Sequence, residues 1–243
     1  MSFGDELRAV AAVEGWMTDG QLRRLWDAAG AVSADGRIVE IGSFRGRSTI
    51  VLALGAPPAA TVVAIDPHAG GDRGPGEIEA EAARGQRDHE AFVANVAAAG
   101  VADKVEHLRL TSRDAQSSFA GAVDLLHVDG AHRYSPARDD IADWGARVRL
   151  GGRMLIHDSF SSIGVTGAQL RVLVFSRRWE YVGRTRSLAE YRRVDLTGAR
   201  RARSSLRQLV QLPWFARNVT VKVLLTLRLR AVARRLGAEE WPY

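Results

Sequence analysis

Short apolar runs and stretches with helical spacing alternate along the chain. Runs of aliphatic residues that stop at a glycine or an acid predict buried strands, at 38–41, 61–66, 105–110, 123–129 and 154–156. Two further strands are predicted near 179–184 and 188–194. Apolar residues at helical spacing predict helices over 5–13, 19–29, 92–99 and 170–175. This alternation is typical of an α/β fold.

The turn after the first strand is the most informative local pattern. Gly42 and Gly46 separate the strand from a helix that begins with Ser48 and Thr49. Such a turn leaves backbone N–H groups and hydroxyls directed at a ligand, as in nucleotide sites. The spacing differs from a dinucleotide fingerprint, because Glu40 stands at the strand end, where it would repel a pyrophosphate. A ligand that carries positive charge is therefore predicted.

An acid and an irregular segment follow the second strand. Asp66 lies about twenty residues after the glycine turn, where its carboxylate can accept both hydroxyls of a ribose. A helix N-cap before Pro67 is the alternative. From 68 to 89 the composition predicts irregular structure, since four glycines and a proline fall within nine residues. A lid over the site and a flexible surface loop both explain this segment.

Two later strands bring carboxylates and imidazoles to one edge of the predicted sheet. Asp129 ends the central strand and His132 follows it closely, while the next strand delivers His157 and Asp158. Because open α/β sheets bind ligands at the carboxyl ends of their strands, we expect these four side chains in one cavity. Carboxylates suit a hard divalent ion such as Mg²⁺ or Mn²⁺. The structural alternatives are that Asp129 caps a turn, that His157 is an ordinary core histidine and that His132 is an ordinary surface histidine.

Three motifs in sequence order resemble those of class I S-adenosylmethionine-dependent methyltransferases. They are Glu-Ile-Gly-Ser-Phe-Arg-Gly-Arg-Ser at 40–48, His-Val-Asp-Gly-Ala-His at 127–132 and Gly-Gly-Arg-Met-Leu-Ile-His-Asp-Ser at 151–159. Their form is similar to that of the small-molecule branch with the macrocin-type sugar O-methyltransferases and methylmannose 1-O-methyltransferases. The resemblance covers roughly residues 10 to 195 and leaves out the C-terminal part.

The resemblance implies a Rossmann-like class I methyltransferase fold, with a seven-stranded, mostly parallel sheet, one antiparallel edge strand and helices on both faces. It implies a helical cover over 1–30 and the methyltransferase domain over 31–197, while the residues of the tail predict a basic helical extension over 198–243. The implied cofactor is S-adenosyl-L-methionine. The residues assigned to it are Glu40, Gly42, Ser43, Gly46, Ser48, Asp66, Ser112, Asp114 and Asp129. For Ser112 and Asp114, helix N-capping is an equally good explanation.

The resemblance also implies metal-assisted methyl transfer. Asp129, His157 and Asp158 are the predicted ligands of Mg²⁺ or Mn²⁺, and His132 and Asp129 are the predicted catalytic residues. His157 stands where several relatives carry an acid, and Ser159 is an alternative third ligand. In this chemistry a bound cation lowers the pKa of the acceptor hydroxyl, while a neutral histidine takes its proton as general base.

Charge is distributed unevenly between the body and the tail. The net charge is +6, yet ten Lys and Arg residues and no acid lie between 196 and 238, which leaves −4 for the rest. The chain has no cysteine, which excludes a disulfide framework and a thiolate metal site. Without a recognisable secretory signal or an apolar run of bilayer length, we expect a cytoplasmic protein.

The spacing of apolar and basic residues in the tail predicts two helices divided by Pro213, with the two kinds of residue partly segregated on each helix. Packing on the body or on a second subunit, as in a homodimer, is the favoured interpretation. Peripheral contact with the inner membrane face through the arginines is the alternative. No nucleic-acid partner is expected, because the tail lacks a recognisable reading motif.

We therefore predict a metal-assisted, S-adenosylmethionine-dependent O-methyltransferase that acts on a hydroxyl of a sugar-like small molecule or oligosaccharide, such as a methylated mannoside. The lack of an aromatic-rich acceptor region favours a polar sugar over a catechol. Two alternatives remain: a metal-dependent hydroxylase-like relative of the same fold, and a membrane-associated scaffold that binds partners through its tail.

Overall fold

The structure is a computed structural model and describes residues 3–71 and 79–236. Its strands are β1 (Arg37–Ile41), β2 (Thr61–Ile65), β3 (Val105–Leu108), β4 (Val123–Val128), β5 (Val148–Ile156), β6 (Trp179–Thr185) and β7 (Leu188–Arg193). They form one sheet in the order β3-β2-β1-β4-β5-β7-β6. Strands β1 to β5 pair in parallel, and β7 runs antiparallel to both β5 and β6. The predicted mostly parallel sheet with antiparallel pairing at one edge is confirmed.

Helices connect the strands and form the tail. They are α1 (Phe3–Val10), α2 (Asp19–Gly30), α3 (Arg47–Gly55), α4 (Ala82–Ala98), α5 (Ser112–Ser118), α6 (Tyr134–Asp139), α7 (Ile163–Leu173), α8 (Gly198–Leu209), α9 (Leu212–Thr226) and α10 (Arg230–Arg235). A π-helical turn over Asp140–Trp144 continues α6, and short 3₁₀ turns cover Ala102–Lys104 and Gly145–Arg147. No described helix is long and apolar enough to cross a bilayer.

Two elements are longer than the sequence pattern predicted. Helix α4 begins at Ala82, so the expectation of irregular structure is wrong over 82–89, where alanines and long polar side chains favour a helix. The glycine-rich centre of the predicted lid, 72–78, lies outside the described residues. Strand β5 begins at Val148 instead of Met154, because its pairing with β4 continues past Gly151 and Gly152.

The sheet is covered on both faces, which explains why its central strands are apolar on both sides. One core contains Val39, Val63 and Leu126 together with Trp144 and Tyr191. The opposite core contains alternate residues of the same strands, such as Ile38 and Leu125, under helices α2, α3 and α4. Strand periodicity of two places neighbouring residues on opposite faces.

The basic tail packs on the body through polar groups as well as apolar ones. Helix α8 buries Ser204, Ser205 and Gln208 while its Leu206 stays exposed. The Tyr191 hydroxyl donates to Gln208 Oε1 over 3.1 Å, and both side chains are fully buried. The predicted division at Pro213 is confirmed, since this proline lies in the first turn of α9. Homodimer formation and membrane contact stay predictions.

Replacing Gln208 with alanine should lower the free energy of unfolding by about 1–3 kcal/mol, because the buried Tyr191 hydroxyl loses its acceptor. Urea unfolding of the full chain measures this change. Arg203→Ala, at an exposed position of the same helix, is the matched control and should change stability by less than about 0.5 kcal/mol. Equal effects of the two substitutions would contradict a stabilising role for this contact.

Candidate active site

A cavity of about 1540 Å³ opens at the carboxyl ends of the five parallel strands. Its wall combines the turns that follow β1, β2, β3, β4 and β5 with the segment before α2 and with part of α9. These five turns contribute, in strand order, Ser43, Asp66, Thr111, Asp129 and Asp158. This is the sheet edge at which open α/β folds bind ligands, as the sequence predicted.

The glycine turn after β1 lies directly against the turn after β4. Gly42 has a φ of +84°, and a Cβ atom there would lie only 2.2 Å from the Asp129 carbonyl oxygen. No side chain fits at this position. The neighbouring Ser43 hydroxyl is buried and has no hydrogen-bond partner among the described residues, and Ser43 lines the cavity. The turn thus forms a narrow cradle with an unsatisfied polar atom beside it.

Asp66 joins the turns after β1 and β2. Its Oδ2 accepts a hydrogen bond from the Phe44 backbone N–H over 2.9 Å, and its Oδ1 accepts one from the His68 N–H over 2.8 Å. Phe44 and His68 both have positive φ angles, 45° and 47°, so these bonds hold a strained backbone. The Asp66 side chain keeps 17% of its surface exposed, on the cavity wall.

Three of the predicted cofactor residues lie outside the cavity wall. Glu40 is fully buried, accepts a hydrogen bond from the Thr49 hydroxyl and lies 3.0 Å from His127 Nδ1. The expectation that the Thr49 hydroxyl is directed at a ligand is therefore wrong. Gly46 has a φ of +89°, begins α3 and packs on Phe92. The reason in both cases is packing on the core beneath the turn.

Asp114 belongs to a helix cap. Its backbone N–H donates to Thr111 Oγ1 over 3.2 Å, and the Thr111 hydroxyl donates to Asp114 Oδ2 over 2.7 Å. Asp114 is exposed and absent from the cavity wall, which is what the capping interpretation predicts. Ser112 and Ser48, by contrast, both line the cavity.

Two histidine–aspartate pairs meet beside the cradle, in the turns that follow β4 and β5. Asp129 Oδ1 lies 2.9 Å from His157 Nδ1, and Asp158 Oδ2 lies 2.7 Å from His132 Nε2. The pairs are linked, since His157 Nδ1 is also 3.9 Å from Asp158 Oδ2. All four residues line the cavity. The structure therefore brings together the four side chains that the sequence placed at this edge.

The electrostatics of the pairs are set by burial and by opposite charges. Burial alone would lower the pKa of His157, but the Asp129 carboxylate outweighs it and raises that pKa to about 9. Burial would raise the pKa of Asp158, but the hydrogen bond from His132 and the charge of His157 hold it well below its usual range. The pKa of His132 is raised, because Asp158 outweighs the effect of burial.

A strained turn presents Asp158. Asp158 and Phe160 have φ angles of +54° and +55°. The Asn218 side-chain amide on α9 donates to the Phe160 carbonyl oxygen over 3.1 Å. Ser159 is fully buried and donates its hydroxyl to the Ile156 carbonyl oxygen over 2.9 Å, so the alternative third ligand does not face the cavity.

Helix α9 supplies a part of the wall that the sequence analysis missed. Val219, Lys222 and Val223 line the cavity. Burial lowers the pKa of Lys222, while the Asp158 carboxylate acts to raise it. One signal was available in the sequence, because Lys222 is the single lysine among the basic residues between 196 and 238. Its position over the cavity follows only from the docking of the tail.

Asp140 is a second missed residue. It lies in the π-helical turn, is 5% exposed and accepts a hydrogen bond from the Ser112 hydroxyl over 2.5 Å. Burial raises the pKa of Asp140 to about 6, and the charges of Asp139 and Asp143 act in the same direction. Asp140 and Ser112 together form a polar patch on the cavity wall.

Comparison with known proteins agrees with this architecture. Residues 39–159 match the family model described as a methyltransferase domain. Cofactor-bound Rv0187 from MTB is 23% identical, with a TM-score of 0.57 over 79% of this chain and 89% of that chain. The O-methyltransferase NovP is 19% identical, with a TM-score of 0.58 over 72% of this chain and 80% of NovP. The O-methyltransferase from Bacillus cereus in complex with SAH is 17% identical, with a TM-score of 0.53 over 78% and 87%.

Residues 39–159 match the methyltransferase-domain model, and the fold is the Rossmann-like fold of these solved structures. Both findings agree with the broad resemblance found in the sequence. The narrower resemblance to the macrocin-type and methylmannose branch stays a prediction.

Asp140→Asn should raise the free energy of unfolding by about 1–3 kcal/mol at pH 7.5. The folded-state pKa of about 6 exceeds the unfolded value, so ionised Asp140 destabilises the fold above pH 6, and the penalty is absent below about pH 4. Urea unfolding at pH 7.5 and pH 4 measures both values, with exposed Asp103→Asn as the control. A gain of equal size at both pH values would contradict the assigned cause.

Proposed function

We propose that the chain is a metal-assisted, S-adenosylmethionine-dependent O-methyltransferase that acts on a hydroxyl of a sugar-like acceptor. The observation that carries this proposal is the single cavity in which the cradle at Gly42 and the two histidine–aspartate pairs face the same space. A methyl donor and a hydroxyl acceptor have to meet in such a space for the reaction to occur.

The cradle end of the cavity has the features that an adenosyl ligand requires. Gly42 lines the cavity and lets the turns after β1 and β4 lie against each other, and the buried Ser43 hydroxyl has an unused hydrogen-bonding capacity. Asp66 is placed to accept ribose hydroxyls, because carboxylate oxygens accept more than one hydrogen bond each. Asp140 and Ser112 offer polar contacts to an adenine further along the wall. S-adenosylmethionine supplies an electrophilic methyl group when bound.

The donor set of the two histidine–aspartate pairs fits a divalent cation. Asp129 and Asp158 supply carboxylate oxygens, and Asp158 Oδ1 is buried without a hydrogen-bond partner among the described residues. His157 would complete the set only after it loses the proton that now links it to Asp129, and its other nitrogen, Nε2, is also unsatisfied. A bound Mg²⁺ or Mn²⁺ lowers the pKa of a coordinated hydroxyl.

His132 is the group that removes the acceptor proton. Because Asp158 holds Nε2, the Nδ1 nitrogen is left to accept the proton of the hydroxyl. With S-adenosylmethionine bound, the deprotonated oxygen would take over its methyl group, with S-adenosylhomocysteine as the other product. Asp158 stabilises the imidazolium that forms and fixes the orientation of the ring.

The turn after β5 and helix α9 bring both polar and apolar side chains to the cavity. Ser161, Ser162, Lys222 and Thr226 line it together with Ile163, Val219, Val223 and Leu227. The aromatic pair on the wall, Trp16 and Phe44, has ring centroids 4.9 Å apart and comes from the segment before α2 and the turn after β1. The hydroxyl and ammonium groups offer hydrogen-bond partners to a sugar, and none of the eight residues from the turn and α9 carries an aromatic ring to hold a planar catechol. The same argument makes α9 a determinant of acceptor choice.

Transfer of labelled methyl groups from S-adenosylmethionine to a panel of sugars should occur with Mg²⁺ or Mn²⁺ and fall to background with a chelator. His132→Ala should lower kcat by about 10²–10⁴-fold with little change in the KM for S-adenosylmethionine, because the base acts only on the acceptor. Asp103→Asn is the control, because Asp103 is exposed and does not line the cavity. Turnover that survives chelation would contradict the metal, and full activity of His132→Ala would contradict the base.

Asp66→Ala should weaken binding of S-adenosylhomocysteine by at least about 10-fold, since two hydroxyl contacts to a charged acceptor are lost. Isothermal titration of the full chain measures the dissociation constant. Thermal melting of the same sample checks that the turns after β1 and β2 remain folded, because Asp66 also holds their backbone. Unchanged affinity in a folded variant would place the ribose elsewhere.

A further inference from the structure

Three histidines from separate elements meet beside the cavity. His68 follows β2, His89 lies on α4 and His107 lies in β3. One ring nitrogen of each lies within 4.8 Å of the corresponding nitrogens of the other two. The ring centroids are 5.3 Å apart for His68 and His89, 5.1 Å for His68 and His107, and 5.2 Å for His89 and His107. Three distant stretches of sequence thus place three imidazoles at one point.

Each of the three rings has an unsatisfied buried nitrogen. His68 Nδ1, His89 Nδ1 and His107 Nε2 are shielded from solvent and have no hydrogen-bond partner among the described residues. For His68 the tautomer follows from its surroundings. Its Nε2 lies 2.8 Å from the Phe44 carbonyl oxygen, which only accepts hydrogen bonds, so Nε2 carries the proton and Nδ1 presents a lone pair.

Ordinary packing does not account for this arrangement. His107 does contact the Phe92 ring, with centroids 4.5 Å apart, as a core residue would. Buried polar atoms in native folds are nevertheless almost always hydrogen-bonded, and three unsatisfied ring nitrogens in one cluster need an explanation. A ligand that accepts three lone pairs supplies one.

The charge state of the cluster suits such a ligand. Burial lowers the pKa of His107 to about 4, and the neighbouring imidazoles add to the effect. Burial and the Arg109 guanidinium lower the pKa of His89. Neutral imidazoles are the form that binds metal ions. The nearest carboxylate, Asp66, has its Oδ1 3.9 Å from His68 Nδ1 and offsets part of the charge of a cation.

We propose that His68, His89 and His107 bind a divalent transition metal of the zinc type. Imidazole nitrogens prefer Zn²⁺ and its neighbours over Mg²⁺, which favours oxygen ligands. Tetrahedral zinc with three nitrogen ligands needs nitrogens about 3.4 Å apart. The three nitrogens lie within 4.8 Å of one another and would have to draw together to this spacing around a bound ion.

This metal site is distinct from the carboxylate site at Asp129 and Asp158, and it does not depend on the proposed methyl transfer. It would fix the turn after β2 to α4 and β3. The His68 backbone N–H donates to Asp66, which in turn holds Phe44 at the glycine turn. A metal at the three histidines would therefore stabilise the backbone on which the cradle depends.

Equilibrium dialysis of the full chain against Zn²⁺, with the metal quantified by mass spectrometry, tests the proposal. All samples carry Asp129→Asn, which removes one ligand of the carboxylate site, and the difference between the parent and the histidine variants measures the zinc bound by the three histidines. We expect one zinc per chain, and at least about 10-fold weaker binding in His89→Ala and in His107→Ala. Gln86→Ala, at an exposed position of the same helix as His89, is the matched control and should bind like the parent.

Spectroscopy gives a second readout that does not depend on stability. Co²⁺ in place of Zn²⁺ should produce the intense visible bands of a four-coordinate ion in the parent, and His89→Ala should lose them while its melting curve remains cooperative. Equal zinc affinity in the parent and in both histidine variants would overturn the proposal. The absence of zinc binding by the parent at 100-fold excess of metal over protein would overturn it as well.

Discussion

The close contact between the Gly42 turn and the Asp129 backbone is the constraint on which the cavity depends. The Asp129 N–H donates to the Ile41 carbonyl oxygen over 2.8 Å, and the Gly42 N–H donates to the Ile65 carbonyl oxygen over 2.9 Å. These bonds extend the pairing of β1 with β4 and β2 by one residue beyond the strands. Since only glycine fits against the Asp129 carbonyl group, a side chain at position 42 would push these two turns of the cavity wall apart.

Around this fixed edge, charge is organised in two coupled pairs. Each carboxylate of Asp129 and Asp158 has an imidazole within 3 Å, so the buried charges compensate one another. This arrangement requires a strained backbone, because Asp158 and Phe160 both have positive φ angles. Asn218 of α9 holds that turn, which links the tail to the chemistry at the sheet edge.

The tail shows how composition misleads when it is considered alone. Its arginines suggest an anionic partner, but α8 and α9 also cover part of the body and place Lys222 over the cavity. Helix α8 turns its serines and Gln208 inwards because Tyr181 and Tyr191 offer polar partners at the sheet edge. An argument from the apolar face alone would have predicted that the leucines of α8 are buried and that its serines and Gln208 are exposed.

The sequence by itself determined the presence of the seven strands, the glycine turn and the convergence of Asp129, His132, His157 and Asp158, because apolar runs mark strands and parallel strands share one carboxyl edge. It did not show that Glu40, Gly46 and Asp114 lie outside the cavity wall, since packing and capping decide their environment. Only the tertiary structure brought α9 over the cavity and joined His68, His89 and His107. Those contacts join residues far apart in the chain, and no local periodicity encodes them.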